Sequence, residues 1–179
     1  KTLANIDHLT KLFNRKFLFD YGEQAIKNAQ FVKKRLAFAM INLEDFDYVL
    51  ERLGRNQADN VLQELSNMFL KIKRKDDIVI RYGGSEFIII FDNIRPELDF
   101  ENLMMRYRER TKLSMSIDGQ EFILSYNTGI AFMPDDGADV RTLVEKADRA
   151  LNQAKREGKG KIKFYNKLEE VTNLQRLKI

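Results

Sequence analysis

Apolar positions fall in two rhythms along this chain. Leu36–Leu43 (LAFAMINL) is an almost unbroken hydrophobic run, the pattern of a central strand covered on both faces. Val61, Leu62, Leu65, Met68, Phe69 and Ile72 recur at helical spacing, which predicts a core-facing helix over 60–73. A second stripe runs through Val140, Leu143, Val144, Ala147, Leu151 and Ala154, capped by Asp139 and closed by Gly158. Two β-prone runs, Asp77–Tyr82 and Phe87–Phe91, flank Gly83-Gly84. That arrangement reads as a tight hairpin, because glycine reaches positive φ at no steric cost.

Between these landmarks the pattern predicts a helix near 15–30 and a short helix over 44–53 ended by Gly54. It then predicts a turn at Arg95-Pro96, a helix through 98–111, a turn at Asp118-Gly119 and a strand over 122–132. A last short strand spans 161–165. Strands and helices in this order make an α+β domain, with helices flanking a central mixed or antiparallel sheet. One domain over 1–165 is expected, with the charged amphipathic segment 166–179 as a helical tail or linker.

Composition narrows the partners. The 31 Lys+Arg and 27 Asp+Glu are interspersed, and a net charge of +4 requires no nucleic-acid surface. There is no cysteine, and no apolar run approaches the ~18 residues of a membrane span. A cytoplasmic location without membrane contact is the expectation. The single histidine, His8, has no Cys or His company and is not read as a metal ligand.

The hairpin carries more than a turn. Arg81-Tyr82-Gly83-Gly84-Ser85-Glu86-Phe87 resembles the signature of GGDEF domains, the diguanylate cyclase family. Asp7, Leu9, Thr10, Leu12, Asn14 and Arg15 match that family's entry segment, with Lys11 in place of its usual glycine. Asn127, Gly129, Ile130 and Ala131 match a later motif, and Ala147, Asp148, Ala150, Ala154, Lys155 and Gly158 another. The resemblance covers roughly residues 3–165. It implies the fold shared by nucleotidyl cyclases and polymerase palm domains. It also implies a reaction in which two GTP molecules, one on each of two facing subunits, are joined into cyclic di-GMP with Mg²⁺.

Such chemistry needs hard oxygen ligands for Mg²⁺. The family places one carboxylate at the end of the first long strand and another at the third signature position. Here those positions hold Asn42, followed by Leu43, and Ser85. The family lysine near the phosphates is matched by Asp47, and the guanine-reading asparagine by Leu50, which offers no donor or acceptor. Gly83, Gly84, Glu86, the second guanine-reading position Asp59 and the phosphate-facing positions Lys155 and Lys159 are retained. A vestigial GTP site without metal is therefore expected, with GTP binding weak or absent.

Arg74-Lys75-Asp76-Asp77 is an R-x-x-D motif placed, with five residues between Asp77 and Gly83, where the family has its inhibitory cyclic di-GMP site. An arginine fork suits phosphate or the guanine edge, and a carboxylate suits guanine N1 and N2. The alternative is an exposed salt-bridged turn. Arg106 or Arg108 would complete such a site. The resulting reading is a regulatory or cyclic di-GMP-binding module within a longer signalling protein, possible as a homodimer, with no cofactor. Its rivals are a working cyclase using Mg²⁺ through atypical ligands, and a domain that binds no nucleotide.

Overall fold

The computed structural model describes residues 3–95 and 99–166. The turn expected at Arg95-Pro96 and the tail beyond residue 166 fall largely or wholly outside them. The chain runs through β1 (Phe13–Asn14), α1 (Arg15–Phe31), β2 (Leu36–Leu43), α2 (Phe46–Leu53), α3 (Arg55–Ile72), β3 (Ile78–Gly83) and β4 (Glu86–Phe91). It continues through α4 (Phe100–Arg110), β5 (Leu113–Ile117), β6 (Gln120–Leu124), β7 (Tyr126–Met133), α5 (Val140–Glu157) and β8 (Ile162–Phe164).

Six strands form one mixed sheet in the order β1-β3-β4-β2-β7-β8, with β5 and β6 paired apart from it. β2 lies between β4 and β7, antiparallel to both, and β1 and β8 close the edges in parallel. Alternation along β2 divides the interior. Ala37, Ala39, Ile41 and Leu43 join the core that α3 and α4 cover with Val61, Leu65, Phe69, Met104 and Tyr107. Leu36, Phe38 and Met40 face the opposite core, which α1 and α5 cover with Leu18, Ile26, Val140, Leu143, Val144, Ala147 and Leu151. The fold is α+β, a mixed sheet with helices on both faces.

Two boundaries differ from the pattern-based expectation. α3 begins at Arg55 rather than 60, because Gly54 at φ 89° ends α2 and turns directly into the next helix. The single strand expected over 122–132 is two strands, broken at Ser125, whose carbonyl accepts the Glu44 amide. β6 instead pairs antiparallel with β5 across the Asp118-Gly119 turn, which the sequence reading placed correctly.

Candidate functional site

The register of the sheet assembles the site at one end of β2. Asn42 is opposite Glu86, the first residue of β4, on one side and Asn127 of β7 on the other. Its amide Nδ2 donates to Glu86 Oε2 at 3.5 Å. Leu43 is buried, and its backbone amide donates to the Ser85 carbonyl, which ties the hairpin tip to the strand end. Gly83 and Gly84 are exposed at that tip, with open space where a Cβ would stand, and Gly84 sits at φ 49°.

From α5, Lys155 reaches within 3.9 Å of Glu86. After α5, Lys159 forms a 2.6 Å ion pair with Asp45. Asp45 occupies the N-cap of α2 in the left-handed region, φ 63°, and its carboxylate makes no capping bond. Both lysines singled out from sequence are thus occupied by carboxylates of the chain. Glu44, next to Asp45, accepts from Asn127 at 3.1 Å. Burial pushes the Glu44 carboxyl above its ordinary value, opposed by the nearby Lys155 and Lys159 ammonium groups.

Nothing in the sequence marks Glu44 or Asp45 for a role, and Asn127 stands out only as part of a family motif. Asn127 is fully buried, donates to Glu44 and to the Gly158 carbonyl, and accepts from the Lys161 amide. It locks the end of α5 and the start of β8 against the site. An asparagine in an apolar strand was the available signal, since a buried amide needs partners.

The remaining positions lie on α2 and α3, which pack together. Asp47 is exposed on α2, whereas Leu50 is half-buried and packs against the core. Asp59 is half-buried on α3.

Arg74 and Asp77 form the turn between α3 and β3, but Asp77 is not an exposed partner. Its carboxylate, 1% exposed, accepts from Arg74 Nε and Nη2 at 2.9 Å each, from the Arg74 amide, and from the Asp92 amide at 2.8 Å. Arg74 Nη2 also donates to the Asp92 carbonyl. The exposed salt-bridged turn is therefore a buried carboxylate with one partly exposed guanidinium. Asp77 orients Arg74 and has no free oxygen edge for a guanine in this arrangement. Arg108 donates to the Gly160 carbonyl, while Arg106 is exposed on α4.

The family model for the diguanylate cyclase GGDEF domain matches residues 4–161. The chain belongs to the GGDEF family. Diguanylate cyclase DosC of Escherichia coli is 33% identical over 169 residues, covering 90% of this chain and 35% of that protein. The cyclic di-GMP phosphodiesterase NbdA of Pseudomonas aeruginosa is 26% identical over 179 residues, all of this chain and 23% of that protein. The chain thus spans between 23% and 35% of the length of these curated relatives.

Solved GGDEF structures share the architecture. The isolated GGDEF domain of YfiN (TpbB) from P. aeruginosa superposes with a TM-score of 0.75 at 27% identity, covering 89% of this chain and 94% of that one. Diguanylate cyclase SiaD of P. aeruginosa, solved with its activator SiaC, gives 0.81 at 26% identity, covering 90% and 62%. The GGDEF domain of DgcB from Caulobacter crescentus, solved with cyclic di-GMP, gives 0.80 at 21% identity, covering 92% and 95%, a likeness of fold. A GGDEF domain of cyclic di-GMP signalling is the coarse identity these observations carry.

Proposed function

We propose that this GGDEF domain is a degenerate, non-cyclising member that serves a longer signalling protein as a regulatory module, and that it receives cyclic di-GMP at Arg74. One observation carries the loss of chemistry. At the strand end where the family gathers Mg²⁺, its two carboxylate positions hold an amide (Asn42) and a hydroxyl (Ser85), while Glu86 is already close to Lys155 and Glu44 already accepts from Asn127. Mg²⁺ sheds water reluctantly and favours carboxylate and phosphate oxygens in octahedral geometry. This donor set does not fit it, so no catalytic step is assigned through the metal.

The lysines reinforce the point. A triphosphate would have to displace Asp45 from Lys159 and Glu86 from Lys155, in a field that also holds Asp47 and Glu44. Guanine would meet the Leu50 side chain where its reader should stand.

Receipt of cyclic di-GMP rests on Arg74. Its Nε and Nη2 are fixed by Asp77 and Asp92, and the side chain is 35% exposed, which leaves Nη1 for a phosphate or a guanine edge. Asp77 is then a positioning residue, holding the Arg74 guanidinium through its carboxylate. Arg108 is engaged with Gly160, so the second-arginine role falls to Arg106.

Two assays on purified protein test the proposal. With GTP and Mg²⁺ or Mn²⁺, no cyclic di-GMP is expected; multiple turnovers abolished by Glu86→Ala would establish the working cyclase instead. By calorimetry cyclic di-GMP is expected to bind, and Arg74→Ala to weaken it about tenfold to a hundredfold, the worth of a charge-assisted contact. Absence of heat with the parent would make Arg74 and Asp77 a purely structural pair.

A further inference from the structure

The β5–β6 hairpin stands apart from the main sheet, and among the described residues no third strand pairs with β5. Asp118 and Gly119 turn the hairpin in two residues, both at positive φ (52° and 80°). In that type I′ geometry the flanking residues, Ile117 and Gln120, form a hydrogen-bonded pair. Alternation along the antiparallel ladder then fixes where every backbone group of β5 points. Leu113, Met115 and Ile117 exchange hydrogen bonds with Leu124, Phe122 and Gln120. Ser114 and Ser116 turn their N–H and C=O groups to the free edge.

The side chains divide in the same way. Leu113 and Ile117 are buried in the core beneath the hairpin and Met115 packs against it, whereas Ser114 and Ser116 are exposed. β5 reads Leu-Ser-Met-Ser-Ile, with no charge, proline or bulge along it. Proteins commonly guard an exposed edge with those devices, because bare N–H and C=O groups recruit another strand.

We propose that β5 is a self-association edge, at which two copies of this chain pair antiparallel about a two-fold axis through Met115. Ser114 then exchanges both backbone hydrogen bonds with the partner's Ser116, and the axis repeats the pair. Met115 meets the partner's Met115 in the non-hydrogen-bonded pair between them, where side chains approach closest. Charge selects this register. Lys112 falls opposite the partner's Asp118 at each end of the ladder, and opposite charges facing each other across strands are favourable. An axis through Ser114 would set Lys112 against the partner's Ser116, and an axis through Ser116 would set Asp118 against the partner's Ser114, leaving the charges unmatched. Both charged groups are available. Lys112 pairs with Glu109 at 3.2 Å and Asp118 with Arg52, and all four side chains are about half exposed or more, so these bonds exchange readily.

Strands of five residues bury little area, so the dimer is weak and depends on concentration. It engages none of Asn42, Ser85, Glu86, Lys155 or Lys159, and it stands whether or not Arg74 receives cyclic di-GMP.

Sedimentation velocity of the purified protein, from micromolar to millimolar concentration, tests the proposal together with amide hydrogen exchange by NMR. A monomer–dimer equilibrium is expected. The Ser114 and Ser116 amides should gain protection as concentration rises, while the Leu113 and Met115 amides are protected throughout. Ser116→Pro removes an edge donor without touching the bonds between β5 and β6. The loss occurs twice in a symmetric dimer and should weaken association about tenfold or more. Lys112→Glu sets like charges face to face and should weaken association about threefold to tenfold. Lying outside the strand on an exposed side chain, it remains decisive if the proline disturbs the hairpin, and circular dichroism checks that both variants are folded. A protein that stays monomeric at millimolar concentration would leave this edge to a strand of some other protein and overturn the proposal. So would a dimer that both folded variants form as tightly as the parent. Protection gained instead at another exposed apolar position, such as Phe31 and Val32 at the end of α1, would overturn it as well.

Discussion

At the scale of single residues, Asp77 shows how position in sequence and role in structure diverge. Its spacing from Gly83 pointed to ligand recognition, yet the fold buries its carboxylate and surrounds it with Arg74 and Asp92 donors. Sequence alone could not reveal this, because burial at a turn depends on what α4 and β4 lay over it. Asp77→Asn should therefore destabilise the domain by about 2 kcal/mol, since a buried charge-assisted bond is replaced by an amide facing a guanidinium. A lower urea midpoint at unchanged slope checks this; an unchanged midpoint would contradict it. Asp7 gives a pH dependence. Burial pushes its carboxyl up, but bonds from the Thr10 hydroxyl and amide and the Arg81 guanidinium outweigh burial and hold it below the ordinary 3.8. A depressed folded value means that the stabilisation is present above the unfolded value and is lost as pH falls through the folded one. The stability gap between parent and Asp7→Asn should thus be wide near neutrality and shrink below 3.8. Urea midpoints across that range measure it; a gap independent of pH would remove Asp7 as the source.

At the scale of elements, periodicity worked where one face of an element meets one core. The α5 stripe read from sequence is buried at all its positions, and β2 spans the predicted residues. It failed at β5 and β6, where Leu113, Met115 and Ile117 alternate with Ser114 and Ser116 over only five residues. The Asp118-Gly119 turn was legible, but the strand before it was too short and too polar on its outer face to stand out. Close packing was equally invisible. Gly129 of β7 lies under α5, and a Cβ there would drive into the Ala147 carbonyl and the Leu151 amide, both backbone and unable to yield. Gly129→Ala should cost about 3 kcal/mol by overpacking the sheet against α5. Thermal unfolding would register that loss as a large drop in midpoint. A variant as stable as the parent would mean that α5 can slide outward freely, against the tight register of β7 and β2.

At the scale of the whole molecule, the family and its sheet were legible because the matching motifs are spread along the chain and converge on one strand end. What the sequence could not disclose is how Glu44, Asp45 and Glu86 neutralise Lys155 and Lys159, because those contacts join residues far apart in the chain. That network makes a prediction about metal and folding together. Asn42→Asp with Ser85→Asp would surround Glu86 with two further carboxylates, one of them replacing an amide that now donates to it. Without a dication the like charges repel in a partly buried place, so the double variant should be less stable than the parent. With Mg²⁺ it should recover, because a ligand bound only by the folded state stabilises it in proportion to RT ln(1 + [L]/Kd). The parent, with one carboxylate beside Lys155, should show no such dependence. Thermal midpoints of both proteins, with and without Mg²⁺, are the measurement. Equal responses would locate the loss of metal binding elsewhere than in Asn42 and Ser85. A double variant stabilised by Mg²⁺ but still unable to bind GTP would place the remaining defect at Asp47, Leu50 and the occupied lysines, the part of the site that two carboxylates do not restore.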